Sequence, residues 1–156
     1  MHPKAAIQKV PRKLLPADYT VTDWNGLEPF FKELIERTIT NKAELEGWMA
    51  DLSELEAVVS EDACWRQIKM TCDTTDKSLE EAFTYFCMEI QPKLQHYADA
   101  LNKKLVNCPF TAALDHAAYH TYLRSVKKSI ELFREENIPI LAELSVLQQQ
   151  YGAIAG

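Results

Sequence analysis

Two histidines four residues apart, His116 and His120 in the run HAAYH, are the residues of this chain best spaced for chemistry. At i and i+4 on a helix, two imidazoles share a face and can chelate a divalent ion. Zinc peptidases with an HExxH motif use that spacing for two ligands and place a glutamate base between them. Ala117 stands where that glutamate would be. A catalytic zinc site also needs a third protein ligand, and His2 and His96 lie on other segments. The sequence therefore assigns no catalytic residue and no metal ligand, and His116 and His120 are expected to be structural side chains at or near the surface.

Cys64, Cys72, Cys87 and Cys108 are separated by 8, 15 and 21 residues, without a Cys-x-x-Cys pair. That spacing fits neither a zinc ribbon nor a thioredoxin-like motif, and reduced, mostly buried thiols are expected. No Gly-rich phosphate loop and no Gly-x-Ser-x-Gly elbow occurs. Glu80-Glu81 and Glu135-Glu136 are adjacent in sequence, so on a helix they point in different directions and suit a solvated face better than a paired-carboxylate site. Trp48, Trp65, Phe83, Phe86 and Tyr97 fall on helical stripes and are expected in the core rather than in a base-stacking platform.

The elements that must position these residues are helices. Only four glycines occur in 156 residues, and 47% of the chain is apolar against 26% charged, which fits a folded domain built from long helices. Lys4, Lys9, Arg12 and Lys13 give the first sixteen residues a charge of +4, so the net −6 leaves −10 on the remainder. An acidic body argues against nucleic acid as a partner. No stretch approaches the roughly 20 apolar residues of a membrane span, no signal-peptide core is present, and a cytoplasmic location is expected.

Residues 1–22 carry Pro3, Pro11 and Pro16 and read as an extended arm; 23–156 read as one helical domain. Asp23 or Asn25 can cap a first helix from about Gly26 to Ile39, with Leu27, Phe30, Phe31, Leu34 and Ile35 inward. Asn41 with Glu44 forms a capping box for a second, long helix. Its stripe is Leu45, Trp48, Met49, Leu52, Leu55 and Val59, continuing out of phase as Trp65, Ile68 and Cys72 to about Asp73. Ser78 with Glu81 repeats the box and opens a third helix, whose stripe from Leu79 to Leu105 keeps its phase across Pro92 and predicts a kink there. A fourth helix follows Pro109, with Ala113, Tyr119, Leu123, Val126, Ile130 and Phe133 inward. Asn137-Ile138-Pro139 opens a fifth, expected to pack on the rest through Leu141, Leu144 and Leu147 and to fray beyond Tyr151. The fold class is thus all-α: about five helices in elongated antiparallel hairpins, the second and third long.

Three runs, SELEAVVSEDACWRQIKMTCDTTD (53–76), EIQPKLQHYADALNKKL (89–105) and YLRSVKKSIELFREENIPILAELSVLQQQYGAIAG (122–156), closely resemble the N-terminal region of oligoendopeptidase F, and the similarity runs in order from about Leu15 to Gly156. That family belongs to the thimet-oligopeptidase-like zinc metallopeptidases. The resemblance implies an almost wholly helical lobe forming one wall of a deep channel, with zinc, HExxH and a further glutamate ligand on a later catalytic lobe. It further implies that the lobe's partners are that catalytic lobe and short peptide substrates, that zinc belongs to the complete enzyme and not to this chain, and that this chain alone is inactive. None of the family's catalytic or metal residues has a counterpart here, and no substrate-binding residue can be named from it. The alternative is a free-standing helical module that binds a peptide or a copy of itself through a groove or the terminal stripe.

Overall fold

A computed structural model describes residues 11–155, with side chains through residue 152. The elements are α1 (Trp24–Glu36), α2 (Lys42–Cys72), α3 (Lys77–Tyr85), a π-helical turn (Phe86–Ile90), α4 (Gln91–Asn107), a 3₁₀ turn (Thr111–Ala113), α5 (His116–Leu132) and α6 (Asn137–Ala155). The described residues contain no strand, and α3, the π-turn and α4 form one uninterrupted helical run, so the all-α expectation with a long second and third helix holds. No helix among the described residues is long and apolar enough to cross a membrane.

The helix starts follow from local chemistry. Asp23 accepts the Gly26 N–H at 2.9 Å and starts α1. Asn41 accepts the Glu44 N–H at 2.9 Å, while Glu44 reaches back to the Thr40 N–H at 2.8 Å, one residue earlier than a strict capping box requires. The expected Ser78–Glu81 box does not form. Asp76 caps α3 instead, accepting the Ser78 N–H at 2.9 Å and its hydroxyl at 2.7 Å, because a carboxylate two residues earlier offers a stronger acceptor. A fourth helix does follow Pro109, but Ala113, expected on its inward face, is exposed in the 3₁₀ turn before it, and Asp115 caps α5 through the Ala117 N–H at 3.0 Å.

Helix α2, about 46 Å long, is the spine. Leu45, Trp48 and Leu55 are sealed from solvent and Leu52, Val58 and Val59 nearly so; each such side chain stabilises the fold by about 1.5–3 kcal/mol. Arg66 meets Ala82 near the 73–76 turn, whereas Trp48 meets Lys104 far from it, so α2 and the α3–α4 run lie antiparallel. Helix α1 packs on both: Trp24 and Phe31 stack at 5.7 Å, and each contacts Tyr97 of α4.

The described part of the N-terminal arm, residues 11–22, is non-helical as its prolines require, but it is strapped to the body. Glu54 on α2 accepts the N–H groups of Lys13, Leu14 and Leu15 at 2.7, 3.1 and 2.8 Å, and Leu15 and Val21 are buried. Residues 1–10, which carry Lys4 and Lys9, lie outside the described residues.

Two packing expectations fail. Trp65, Ile68 and Cys72 were expected to continue the buried face of α2, yet Trp65 is 53% exposed and Ile68 and Cys72 are also exposed, while Met70 turns inward. On α6 the inward face is Ile138, Ala142 and Gln149, and Leu141, Leu144 and Leu147 point out, Leu147 being 60% exposed. Small Ala142 lets α6 approach the π-turn and α4 closely, a contact that a leucine row would hold further off. Beyond Tyr151, where fraying was expected, the backbone stays helical to Ala155.

Candidate functional site

Proline 92 and the turn before it shape the centre of the molecule. A proline inside a helix lacks its N–H, and its ring collides with the carbonyl four residues back. The strain is absorbed one turn upstream of the expected kink: Gln91 N–H donates to Phe86 O, five residues back, widening the helix into the π-turn, and Pro92 sits in the first turn of α4. The widened turn aims Phe86, Cys87 and Ile90 inward, where all three are buried. Arg66 holds this region from α2, donating to Ala82 O and Val21 O at 3.1 Å each, pairing with Asp62 at 2.7 Å and lying 5.9 Å from the Phe86 ring.

A cleft of about 710 Å³ lies among the second half of α2, α3 with the π-turn, and α6. Met70, Phe83 and Phe86 supply its apolar wall. Gln67, Gln148 and Gln149 supply amides, and Asp73, Asp76 and Glu80 line the end beside the 73–76 turn. Gln149 is only 8% exposed, and its Oε1 accepts the Thr84 hydroxyl at 3.2 Å. Thr75 donors hold the Asp73 carboxyl below its ordinary range, and pairing with Glu80 at 2.8 Å holds the Lys77 ammonium above its own. Burial pushes the Cys87 thiol up, which makes it a poor nucleophile at neutral pH. The cleft is chemically a binding surface of donors, acceptors and charge, lined also by the exposed Cys64 thiol.

A smaller cavity of about 200 Å³ lies between α1, α2 and α4, walled by Phe31, Val59, Leu94 and Leu101, with Glu56 at its edge. Burial raises the Glu56 carboxyl, and burial followed by the nearby Glu56 charge raises the Tyr122 phenol.

The sequence-selected histidines stand apart from both cavities. His116 and His120 are exposed on the first turns of α5 with ring centroids 4.6 Å apart. Among the described residues no group of three or more His, Cys, Asp or Glu side chains is placed to hold a metal ion. All four cysteines are free thiols, but they are not mostly buried: Cys64 and Cys72 are exposed, Cys108 is half-buried and only Cys87 is enclosed. Sequence reasoning missed Gln149 altogether, because a glutamine within the run QQQ reads as a solvated face; the sole signal was its place four and seven residues on from Ser145 and Ala142.

No curated protein and no solved structure matches the chain. The family model described as the Peptidase M3 N-terminal domain matches residues 15–133. This span takes in the strap at Leu15, the antiparallel hairpin, the π-turn and the whole of α5. The chain belongs to the peptidase M3 N-terminal domain family.

Proposed function

We propose that the chain is the channel-wall lobe of an oligoendopeptidase-F-like zinc metalloendopeptidase acting on short peptides, and that it is catalytically inactive without the lobe bearing HExxH. Family membership supports the peptidase lobe. The observation that carries the rest is the outward apolar face of α6, where Ile140, Leu141, Leu144, Leu147 and Tyr151 are all exposed on the helix that follows the matched span. Such a row suits contact with a further lobe. The zinc implied by the resemblance has no fitting ligand set among the described residues, so no metal-dependent step is assigned to them. The proposed location is the cytoplasm. Purified chain should leave a quenched fluorescent peptide intact; chelator-sensitive cleavage in proportion to bound zinc would contradict the claim of inactivity.

A second reading, a free-standing module that binds peptides, is favoured by the 710 Å³ cleft, which falls within the roughly 300–1,000 Å³ typical of ligand sites. It predicts peptide binding by a stable monomer and no association with a catalytic lobe.

A further inference from the structure

The cleft between α2, α3 and α6 contains a polar group that the fold itself leaves unused. Gln149 is more than nine-tenths buried, yet only its oxygen is engaged, by the Thr84 hydroxyl. With Oε1 so engaged, Nε2 has no hydrogen-bond partner among the described residues. The nitrogen is not sealed in either, since Asp99 Oδ1 alone among the described side-chain polar atoms is both enclosed and unpaired. A buried amide donor with one end anchored and the other opening into a cleft is oriented for an incoming acceptor. Gln67 and Gln148 line the same space with donor and acceptor groups that complement a peptide unit.

Charge selects among peptides. Asp73, Asp76 and Glu80 line one end, against Lys77 alone, and Lys77 is already paired with Glu80. The potential there is negative and favours a cation. Met70 and Phe83 flank that end and can cover the methylene stem of a long basic side chain. We infer that the cleft receives a peptide segment bearing lysine or arginine, with Gln149 Nε2 donating to a backbone carbonyl of the segment and the basic head lying against Asp73, Asp76 and Glu80. This rests on the peptide-handling reading above and names the class of peptide.

The test is fluorescence anisotropy of a short fluorescein-labelled alanine-lysine peptide on the full 156-residue chain, with an alanine-glutamate peptide as control. The lysine peptide should bind about tenfold or more tightly than the control and weaken as salt is raised. Gln149→Leu should weaken it by about five- to tenfold with helix content unchanged. Glu80→Gln, at a partly exposed site, should narrow the preference for lysine over glutamate without depending on the core, so the inference remains testable if Gln149→Leu does not fold. Equal binding of the two peptides, or affinities untouched by both substitutions, would overturn it. Self-association of the chain that Gln149→Leu abolishes would also overturn it, placing a second copy in the cleft. If the lysine peptide fails to bind while the chain still restores hydrolysis to a catalytic lobe, the inference falls and the proposed function stands; binding without restored hydrolysis gives the reverse.

Discussion

The ammonium of Lys104 and the indole of Trp48 donate to the same oxygen, the Leu34 carbonyl at the end of α1, at 2.7 and 2.8 Å. Lys104 also reaches the carbonyls of Ile35 and Arg37 and lies 5.7 Å from the Trp48 ring. One cation thus closes the C-terminus of α1, where the helix dipole is negative, and ties it to α2 and α4. Burial, followed by the nearby Arg37 charge, lowers the Lys104 pKa. Lys104→Met should cost about 2 kcal/mol, because three carbonyls lose a charged donor. Trp48→Phe should also destabilise, through the cavity it leaves at a sealed site, although Lys104 still serves Leu34. Urea midpoints at constant m-value measure both; equal stability of Lys104→Met and the unsubstituted chain would contradict this role.

The strap depends on Glu54. Burial raises its carboxyl, but the N–H donors of Leu15, Lys13 and Leu14 outweigh that and hold the pKa below the ordinary 4.5. A lowered carboxylate pKa contributes stability that is fully present above the unfolded value and is lost as pH falls through the folded one. The amide resonances of Lys13, Leu14 and Leu15 should therefore titrate together below pH 4.5. At neutral pH, Glu54→Gln should speed tryptic cleavage after Lys13. A common titration above that value would argue against the latch.

Helix α2 changes character at Val59. Leu55→Ala, in the sealed part, should cost about 2–5 kcal/mol, whereas Trp65→Ser should fall within about 0.5 kcal/mol of the unsubstituted chain. Chemical denaturation of the two variants side by side separates the buried stripe from the exposed one.

The orientation of α6 is tested the same way. Ala142→Leu forces methylenes into the contact with the π-turn and α4 and should destabilise by about 1–3 kcal/mol. Leu144→Ser, on the outward face, should change stability by no more than about 0.5 kcal/mol. The opposite ranking would restore the leucine-inward packing.

Two helix starts and the first buried stripe were legible in the sequence; what covers the later stripes was not. Asp23 and the Asn41–Glu44 pair announce helix starts because caps act within four residues. The Leu45-to-Val59 row announces a buried face because its neighbours on α1 and α4 complete one core. Trp65 and Ile68 carry equal periodicity without a neighbour to cover them, and periodicity reports a face rather than what lies against it. Helix α6 is apolar on more than one side, so leucine content outweighs Ala142 in any pattern, although the smaller residue makes the closer contact. Pro92 marked a disturbance in the third helix, but its form, a π-turn ending one residue before Gln91, depends on how Phe86 and Ile90 meet the core. Gln149 became a candidate only through Thr84, 65 residues away.

Whether this lobe works with a separate catalytic one is decided by mixing the purified chain with an HExxH-bearing lobe of an M3 peptidase. A complex should form, with chelator-sensitive hydrolysis of short peptides that neither part performs alone. Replacing Leu144, Leu147 and Tyr151 by serine should weaken the complex while the chain keeps its helix content. Hydrolysis by the chain alone, or a mixture in which the parts neither associate nor gain activity, would contradict it.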